Sequence, residues 1–410
     1  MPSDCVAEHS STERAAPSAA LPRAWVVMLA LCAAASVSNV YFAQPLLEPL
    51  AREFALSDAW AGGIIGATQA GCALALALVV PLGDRWPRKP LLLMQLVLLT
   101  LALLAVALTQ MRWWLLLGMF SVGLLGTAMT QGLIACAAAL APSAERGRVV
   151  GAVQGGVVIG LLLARAVAGW ISDAAGWRAV YTASAGFSAA MLFLLWRSLP
   201  APPTALSPMG YTALLRSMGQ LLMTEPVLQV RGLIGLLMFA VFNVFWSAMA
   251  LALSAPPYAL STAGIGAFGL VGAIGALAAA RAGHLADRGW AQTTTGIALG
   301  LLLLAWLPLG LGLQHLAWLI VGVILLDLGG QAVHVLNQSL IFRLQPEAHS
   351  RLVGAYMLFY AAGSGLGAMA STAVYAWAGW PWVCVLGAAL SLVALGFWAA
   401  TATWARGQGR

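Results

Sequence analysis

The sequence predicts an all-α membrane protein in which twelve transmembrane helices form two six-helix pseudo-repeats around a central cavity. Three observations lead to this fold class: few charges, twelve long apolar runs, and landmarks that recur at one offset. Of the 410 residues, 61% are hydrophobic and 8% are charged, whereas about 25% of the residues in a soluble domain carry a charge. So few charges cannot cover a water-facing surface, and the expected solvent is therefore the lipid bilayer.

Each of the twelve apolar runs is long enough to cross a bilayer as a helix. The strands of a membrane β-barrel are shorter and alternate between apolar and polar residues. The runs are residues 24–45, 60–82, 91–109, 114–140, 149–170, 179–196, 233–255, 263–280, 295–313, 317–342, 352–377 and 382–402. They divide the chain into a disordered cytoplasmic tail at 1–23, a six-helix bundle at 24–196, a cytoplasmic linker at 197–232, a second six-helix bundle at 233–403 and a cytoplasmic tail at 404–410.

The linker begins with the proline-rich stretch 199–208. After it, apolar residues recur at helical spacing, namely Tyr211, Leu214, Leu215, Met218, Leu221 and Leu222. This spacing indicates a short amphipathic helix on the membrane surface. A plain loop in which the spacing arises by chance stays open as the alternative.

The basic residues predict the orientation of the chain. Of the 20 Lys and Arg residues, sixteen fall on the side of the N-terminus, three (Arg52, Arg112 and Arg178) fall on the opposite side, and Arg165 lies inside a span. Because basic loops stay in the cytoplasm, we expect both termini to be cytoplasmic in a multi-pass protein of the cell inner membrane. The same loops explain the net charge of +7 without a nucleic-acid partner.

The two halves of the chain share landmarks that lie 203 residues apart. Asp84-Arg85 recurs as Asp287-Arg288, Arg148 recurs as Arg351, and Gly176-Trp177 recurs as Gly379-Trp380. One shared offset at three separated sites indicates an internal duplication. Parallel repeats of this kind place a substrate site near the bilayer midplane, between the two halves.

These motifs resemble those of the major facilitator superfamily along nearly the whole chain. The loop after the second span matches the family signature Gly-x-x-x-Asp-Arg-x-Gly-Arg-Lys at Asp84, Arg85, Arg88 and Lys89, with Val80 and Pro87 in the glycine positions; the second copy keeps Gly283, Asp287 and Arg288. The segments NVYFAQPLL, ERGRVVGAVQGG, AGWRAVY and LNQSLIFRLQPEAHSRLVGAYM are similar to drug–proton antiporters near the purine-nucleoside exporter branch, with His349 where such relatives carry Arg. The resemblance implies a monomeric carrier.

The resemblance also implies a gate at the duplicated loops. Asp84 would face the start of the eleventh span near Arg351, and Asp287 would face the start of the fifth span near Arg148. An acid in such a place gains about 0.3–1 kcal/mol from the helix dipole, so these contacts would hold a cytoplasmic gate closed. The alternative is that these residues are ordinary loop charges that set the topology.

The tenth span carries an unusual polar strip. Asp327, Gln331, His334 and Gln338 share one face of the helix, and Asn337 lies roughly 80° away. In the family that this chain resembles, the tenth span lines the central cavity, so we expect the strip to face water. Hydrogen bonding between helices is the alternative. Further candidates for the polar lining of the cavity are Asn39, Tyr41, Gln44, Gln69, Gln131 and Asn243.

Arg165 and Asp327 are the two charged residues that lie deep inside predicted spans. Either charge alone is costly in hydrocarbon, so we expect the two side chains to approach each other. Our hypothesis is that Asp327 exchanges between Arg165 and a proton as the halves move, and that His334, an imidazole that titrates near neutral pH, passes the proton on. The alternative is a static salt bridge.

Three functions fit these observations to different degrees. The first is proton-coupled efflux of a small, amphipathic or planar organic molecule, and the second is proton-coupled uptake of a sugar or small metabolite. The third, an intramembrane enzyme, would need a catalytic pair or metal ligands at membrane depth. The five cysteines form no CxxC pair, and Asp327 and His334 are about 10.5 Å apart along their helix. We therefore expect a transporter, not an enzyme, that needs no cofactor or metal and whose partners are its substrate, protons and lipid.

Overall fold

The computed structural model describes the backbone of residues 22–142, 145–200, 210–341, 344 and 349–407. The side chains are described over the same ranges except at 84, 276–281, 283–284, 286–287, 349–350 and 403–407. The regular structure of this described part is helical, and it contains no strand. The helices are α1 Arg23–Tyr41, α2 Leu47–Glu53, α3 Asp58–Leu74, α4 Arg88–Leu108, α5 Arg112–Leu140, α6 Arg146–Ala175, α7 Trp177–Ser198, α8 Tyr211–Thr224, α9 Pro226–Ser254, α10 Thr262–Asp287, α11 Ala291–Gly310, α12 Leu316–Ile341 and α13 His349–Gly407.

Two of these helices depart from a simple rod. Helix α3 continues through a π turn at Ala75–Val79 and a 3-10 turn at Val80–Asp84. Helix α13 is interrupted at Gly379, where φ is 75°, and Pro381 follows two residues later. A positive φ suits glycine, and proline does not continue a helix from the preceding turn. Helix α13 therefore consists of two arms.

The described part of the chain supplies twelve membrane crossings. A helix needs about 20 apolar residues to cross a bilayer, so α2, with 7 residues, and α8, with 14, are too short. Over the described ranges, the other eleven helices supply the crossings, because α13 supplies two with its arms. The predicted fold class, twelve transmembrane helices in an all-α protein, is confirmed.

The helix contacts follow the internal repeat. In the first half α1 packs on α6, and α3 packs on α5; in the second half α9 packs on α13, and α10 packs on α12. The halves meet mainly through α3 with α13 and through α6 with α10, which are equivalent pairs in the repeat. Glycines permit the close approaches, as at Gly156 and Gly160 of α6, where an added Cβ would overlap the backbone of α1 at Ala30 and Ala34.

A helix does form in the linker, at Tyr211–Thr224. Its buried residues Leu214, Met218 and Leu221 lie on the apolar face. Met218 and Leu221 pack in one cluster with residues of α12 and α13, including Tyr356. The protein therefore covers this face, which the sequence placed against lipid. We call the end of the molecule that carries α8 the linker face and the opposite end the far face.

Candidate functional site

The guanidinium of Arg165 lies in an aromatic cage near the centre of the molecule. Arg165 is only 3% exposed. Its Cζ lies 3.9 Å from the ring centre of Trp246, 5.5 Å from that of Tyr41 and 5.7 Å from that of Phe242. Cation–π contacts at this range stabilise a desolvated cation by about 2 kcal/mol. The cage therefore holds a positive charge between the two halves.

Gln44 connects this cation to the second half. Gln44, in the turn between α1 and α2, accepts a hydrogen bond from Arg165 Nε at 2.6 Å. Its own Nε2 donates to Asn243 Oδ1 of α9 at 3.2 Å. Arg165 Nη2 is buried and has no hydrogen-bond partner among the described residues. The guanidinium is thus oriented by one bond while another of its donors stays unpaired.

Asp327 is the acidic counterpart on α12. It is 3% exposed, and its Oδ2 has no hydrogen-bond partner in the described part of the chain. The described ion pairs, which extend to 4.0 Å, do not include Arg165 with Asp327. The two charges therefore lie in one buried region but do not form a direct salt bridge in this conformation.

Glycines of α10 separate the two charges. An added Cβ on Gly269 would lie 3.0 Å from Arg165 Cβ, and one on Gly272 would lie 2.6 Å from Asp327 Oδ2. Gly269 and Gly272 are one turn apart, about 4.5 Å along the helix axis. The side chains of Arg165 and Asp327 therefore both pack against α10, about one helical turn apart. The glycine spacing at 266, 269, 272 and 275 is the signal in the sequence that points to this arrangement.

The polar strip of α12 divides into two kinds of residue. Gln331, His334 and Gln338 are half-buried, and His334 Nδ1 lies 3.1 Å from Tyr356 Oη. Asn337 is fully buried and donates to the backbone oxygen of Arg231 at 3.2 Å. Asn337 and His334 therefore bond α12 to neighbouring helices, and Gln331 and Gln338 keep half-buried side chains.

The remaining predicted lining residues have different surroundings. Tyr41 forms a short hydrogen bond with Tyr360 of α13, which again joins the two halves. Asn39 accepts a hydrogen bond from Ser184 of α7 at 2.6 Å and belongs to the first half. Gln69 is buried, with Oε1 unpaired among the described residues, and Gln131 is half-buried.

Aromatic residues that the sequence did not single out complete the site. Phe239 stacks edge-on against both His334, at 5.1 Å between ring centres, and Tyr360, at 4.4 Å. Trp246 covers Arg165 with its ring face, and its Nε1 is unpaired in the described structure. Only the packing of α9 against α13 and α6 reveals these positions, because aromatic residues are common throughout the chain.

The predicted gating residues lie at the linker face, and several bond within their own half. Arg88 donates to Ala135 O at 3.0 Å, and Lys89 donates to Leu199 O at 2.5 Å. Leu199 directly follows the last residue of α7, a place where a cation is favourable, whereas Ala135 lies inside the last third of α5. The described side chains do not include three of the predicted gating residues, namely Asp84, Gly283 and Asp287.

The arginines predicted to face those acids have the following partners among the described residues. Arg148 pairs with Glu145 at 2.9 Å. Arg351 donates a short hydrogen bond to Ser217 of α8. Arg85 and Arg288 are exposed, and Arg85 passes near Gly210 at the start of α8. The linker helix therefore contacts the first of the two duplicated loops and the start of α13.

Comparison with known proteins agrees with this architecture. Residues 28–349 match the model of the family described as Major Facilitator Superfamily. The putative uncharacterized transporter YgaY of Escherichia coli (strain K12) is 39% identical over 382 residues, which cover 93% of this chain and 96% of that protein. The purine ribonucleoside efflux pump NepI of Escherichia coli O127:H6 is 25% identical over 178 residues, which cover 43% of this chain and 45% of that protein.

A solved structure has the same fold. It is a bacterial homologue of the human lysosomal transporter Spinster in an inward-facing and unoccupied conformation. The TM-score is 0.74, and the match covers 93% of this chain and 97% of that chain at 16% sequence identity. At that identity the likeness concerns the fold alone.

Proposed function

Because this chain belongs to the Major Facilitator Superfamily, we propose that it is a secondary active transporter that exports a small organic molecule across the cell inner membrane in exchange for protons. The observation that carries this proposal is Asp327, a carboxyl group that is 3% exposed and has one oxygen unpaired among the described residues. A buried, incompletely bonded carboxylate is costly. Binding a proton removes that cost, so Asp327 is suited to carry the coupled proton.

The position of Arg165 supports an alternating cycle. Arg165 belongs to the first half and Asp327 to the second, so rocking of the halves changes the distance between them. A close arginine favours the charged carboxylate, and a distant one favours the protonated form. The conformational change thereby becomes coupled to proton binding and release.

His334 offers a route for the proton toward the linker face. It lies two turns from Asp327 on the same helix, is half-buried and contacts Tyr356 Oη. A neutral imidazole has one donor and one acceptor nitrogen, so it can pass a proton between two hydrogen-bond partners. We place the linker face, with both termini, in the cytoplasm because of the sixteen-to-three distribution of basic residues.

Export is proposed over uptake because the sequence resembles drug–proton antiporters and because NepI, its partial relative, is an efflux pump. The test is transport by the full chain in proteoliposomes with an imposed pH gradient. We expect a proton gradient to drive substrate movement opposite to the proton flow. Movement in the same direction as the protons would replace export with uptake.

Asp327→Asn tests the coupling residue. We expect this variant to lose gradient-driven accumulation at least tenfold while it retains downhill exchange of substrate, because the neutral amide cannot carry the proton. Asp58→Asn, which removes an exposed acid at the start of α3, is the matched control and should retain full coupling. A coupled Asp327→Asn variant with normal pH dependence would refute the assignment.

The duplicated loops are proposed to form the cytoplasmic gate. Asp84→Asn and Asp287→Asn should lower turnover severalfold while substrate affinity changes less than twofold, since both residues are remote from the central site. Binding measured on purified protein and turnover measured in proteoliposomes separate the two effects. A loss of affinity in proportion to turnover would contradict a gating role.

A further inference from the structure

Gln44 is a buried amide at the point where the first transmembrane helix stops. Helix α1 ends at Tyr41, a turn follows, and Pro45 disfavours a helical backbone at the residue before it. Gln44 is 3% exposed. The space that it shares with Arg165 and Trp246 is too small for a water molecule. In this conformation the partners of Gln44 are therefore protein groups and not solvent or substrate.

The two hydrogen bonds of Gln44 fix the direction of its amide. Its Oε1 accepts from Arg165 Nε at 2.6 Å, and its Nε2 donates to Asn243 Oδ1 at 3.2 Å. Asn243 is oriented in turn, because its Nδ2 donates to Phe239 O at 3.0 Å. A flipped Gln44 amide would set an NH2 group against the guanidinium, which has donors only. Gln44 therefore offers the guanidinium one acceptor in one place.

The guanidinium of Arg165 stays apart from the carboxylate that would neutralise it. Arg165 passes Gly269 of α10, where an added Cβ would lie 3.5 Å from its Cδ. Asp327 lies one turn further along α10, with its Oδ2 at 2.6 Å from the position of a Cβ on Gly272. The two charges attract each other, yet among the described ion pairs, which extend to 4.0 Å, none joins them. A contact that both charges favour and that is not made requires a restraint on one of them.

We propose that Gln44 is a positioning residue, which holds Arg165 apart from Asp327 in this conformation. The carboxyl group of Asp327 then has no direct counter-charge, so a proton is its favoured partner. The bond from Gln44 to Asn243 crosses between the two halves, and movement of the halves breaks it. The amide is then free to turn and to release Arg165, which reaches Asp327 and expels the proton. This inference rests on the proposed transport function and adds the residue that regulates the proton site.

Arg165 is the charged group that acts most directly on Asp327. Helix α12 packs on α9, α10, α11 and α13, and the described side chains of α10 and α11 include no titratable group. On α9, the backbone of Arg231 bonds to Asn337, which lies about 15 Å along α12 from Asp327. The other titratable groups that face this region in the described part are His334 of α12, Tyr356 and Tyr360 of α13, and Tyr41 of α1. A substitution at position 44 leaves all of these groups unchanged, so a changed proton affinity of Asp327 reports the position of Arg165.

The alternative role of Gln44 is that of a simple tie between the halves. Its bond to Asn243 would then matter, and its bond to Arg165 would not. Asn243→Leu separates the two roles, because leucine is similar in volume and removes the tie while the acceptor for Arg165 stays in place. Gln44→Met removes both bonds, since its unbranched thioether side chain fills the same space but is a weak acceptor. Gln44→Glu keeps an acceptor for the guanidinium and loses the donor to Asn243.

The test titrates Asp327 in the purified full-length protein by infrared difference spectroscopy. The signal is the C=O stretch of the protonated carboxyl group, and each variant is compared with its Asp327→Asn counterpart to assign the band. We expect Gln44→Met to lower the pH midpoint of this band by about one unit, because Arg165 then approaches Asp327 and favours the carboxylate. Gln44→Glu and Asn243→Leu should keep the midpoint at or above that of the parent, because the guanidinium stays held.

An unchanged or raised midpoint in Gln44→Met would overturn the proposal, and so would the absence of a titrating band in the parent. Equal lowering in Gln44→Met and Asn243→Leu would overturn it as well, because the tie between the halves would then be responsible. If Gln44→Met does not fold, Gln44→Asn takes its place. Its amide is one methylene shorter and cannot keep the bond of 2.6 Å to Arg165, so the midpoint should again fall, and an unchanged midpoint there would count against the proposal.

The titration needs no transport, so it separates this inference from the proposed function. A midpoint that is lowered in Gln44→Met, with no gradient-driven transport by the parent, would refute the coupled carrier and leave the positioning role standing. Coupled transport by the parent with an unshifted midpoint in Gln44→Met would refute the positioning role and leave the carrier standing.

Discussion

The two halves of the molecule meet differently at the far face and at the linker face. At the far face the contact reaches the backbone: the amide of Gly62 donates to Thr372 Oγ1 at 3.1 Å, and a Cβ on Gly62 would lie 2.6 Å from Ala368 O. The start of α10 repeats this pattern, since a Cβ on Gly169 would overlap the backbone of Thr262. These surfaces leave no room for an added atom.

At the linker face, long side chains and the linker helix make several of the contacts. Tyr211 Oη of α8 donates to Leu78 O of the first half at 2.7 Å, and Arg351 of the second half bonds to Ser217 of α8. Helix α8 thus touches both halves. Side-chain contacts of this kind are exchanged at low cost, whereas glycine-to-backbone packing is either formed or lost. The comparison indicates that this conformation is closed at the far face.

The largest expected effect comes from adding volume at the far-face contact. Gly62→Val should prevent closure, because overpacking of a tight contact costs about 1–3 kcal/mol. We expect transport to fall about tenfold and the far face to open. Opening is measured as the rate at which a membrane-impermeant maleimide labels Ile265→Cys, which is 2% exposed in the closed form.

Gly63→Val is the matched control for this prediction. An added Cβ on Gly63 would meet nothing within 4 Å among the described residues. Labelling of Ile265→Cys is measured against the same protein without that cysteine, since the four described native cysteines are buried. Equal labelling and transport in Gly62→Val and Gly63→Val would remove the far-face contact as a gate.

A smaller effect is expected from Asp173, an acid of the first half that caps the N-terminus of α10 in the second half. Asp173 of α6 accepts hydrogen bonds from the hydroxyl of Thr262 and from the amide of Ala263, at 3.1 Å in the second case. A carboxylate at a helix N-terminus contributes about 0.3–1 kcal/mol. Asp173→Asn should therefore raise the labelling rate of Ile265→Cys roughly two- to fivefold. Asp58→Asn should leave that rate unchanged; a matching increase there would mean that far-face charge in general, and not the cap, is responsible.

The smallest effect is expected from a far-face ion pair that lies within one half. Glu53 of α2 accepts a hydrogen bond from Trp177 Nε1 at 2.6 Å and pairs with Arg178 at 2.5 Å. Partial burial raises the pKa of Glu53. The hydrogen bonds and the charge of Arg178 lower it by a larger amount, so the pKa lies below its ordinary value. The stabilisation is therefore present above pH 4–5 and is lost as the pH falls through the lowered pKa.

Glu53→Gln should lower the melting temperature at pH 7 by no more than a few degrees, because partly exposed ion pairs contribute about 0.2–1 kcal/mol. The difference from the parent should shrink as the pH falls through the lowered pKa of Glu53, and transport should stay normal. Glu48→Gln, which removes an exposed pair with Arg52, is the control with no expected shift. A transport defect in Glu53→Gln would show that contacts inside a half also control the gate.

The sequence by itself determined the twelve crossings, the internal repeat and the two deep charges. Spanning length and apolar composition are local properties, and the cost of a charge in hydrocarbon singles out Arg165 and Asp327 wherever their helices pack. The spacing of the polar residues also placed His334 on the same side of its helix as Asp327.

Tertiary structure decided which groups those residues meet. The sequence gives no register between helices that are more than a hundred residues apart, so it did not place Arg165 against Trp246 or Asp327 against Gly272. It also did not show that Arg88 and Lys89 bond to backbone oxygens in their own half. Both results depend on how closely glycine lets helices approach, a distance that is set by the packing of the whole bundle and not by any one segment.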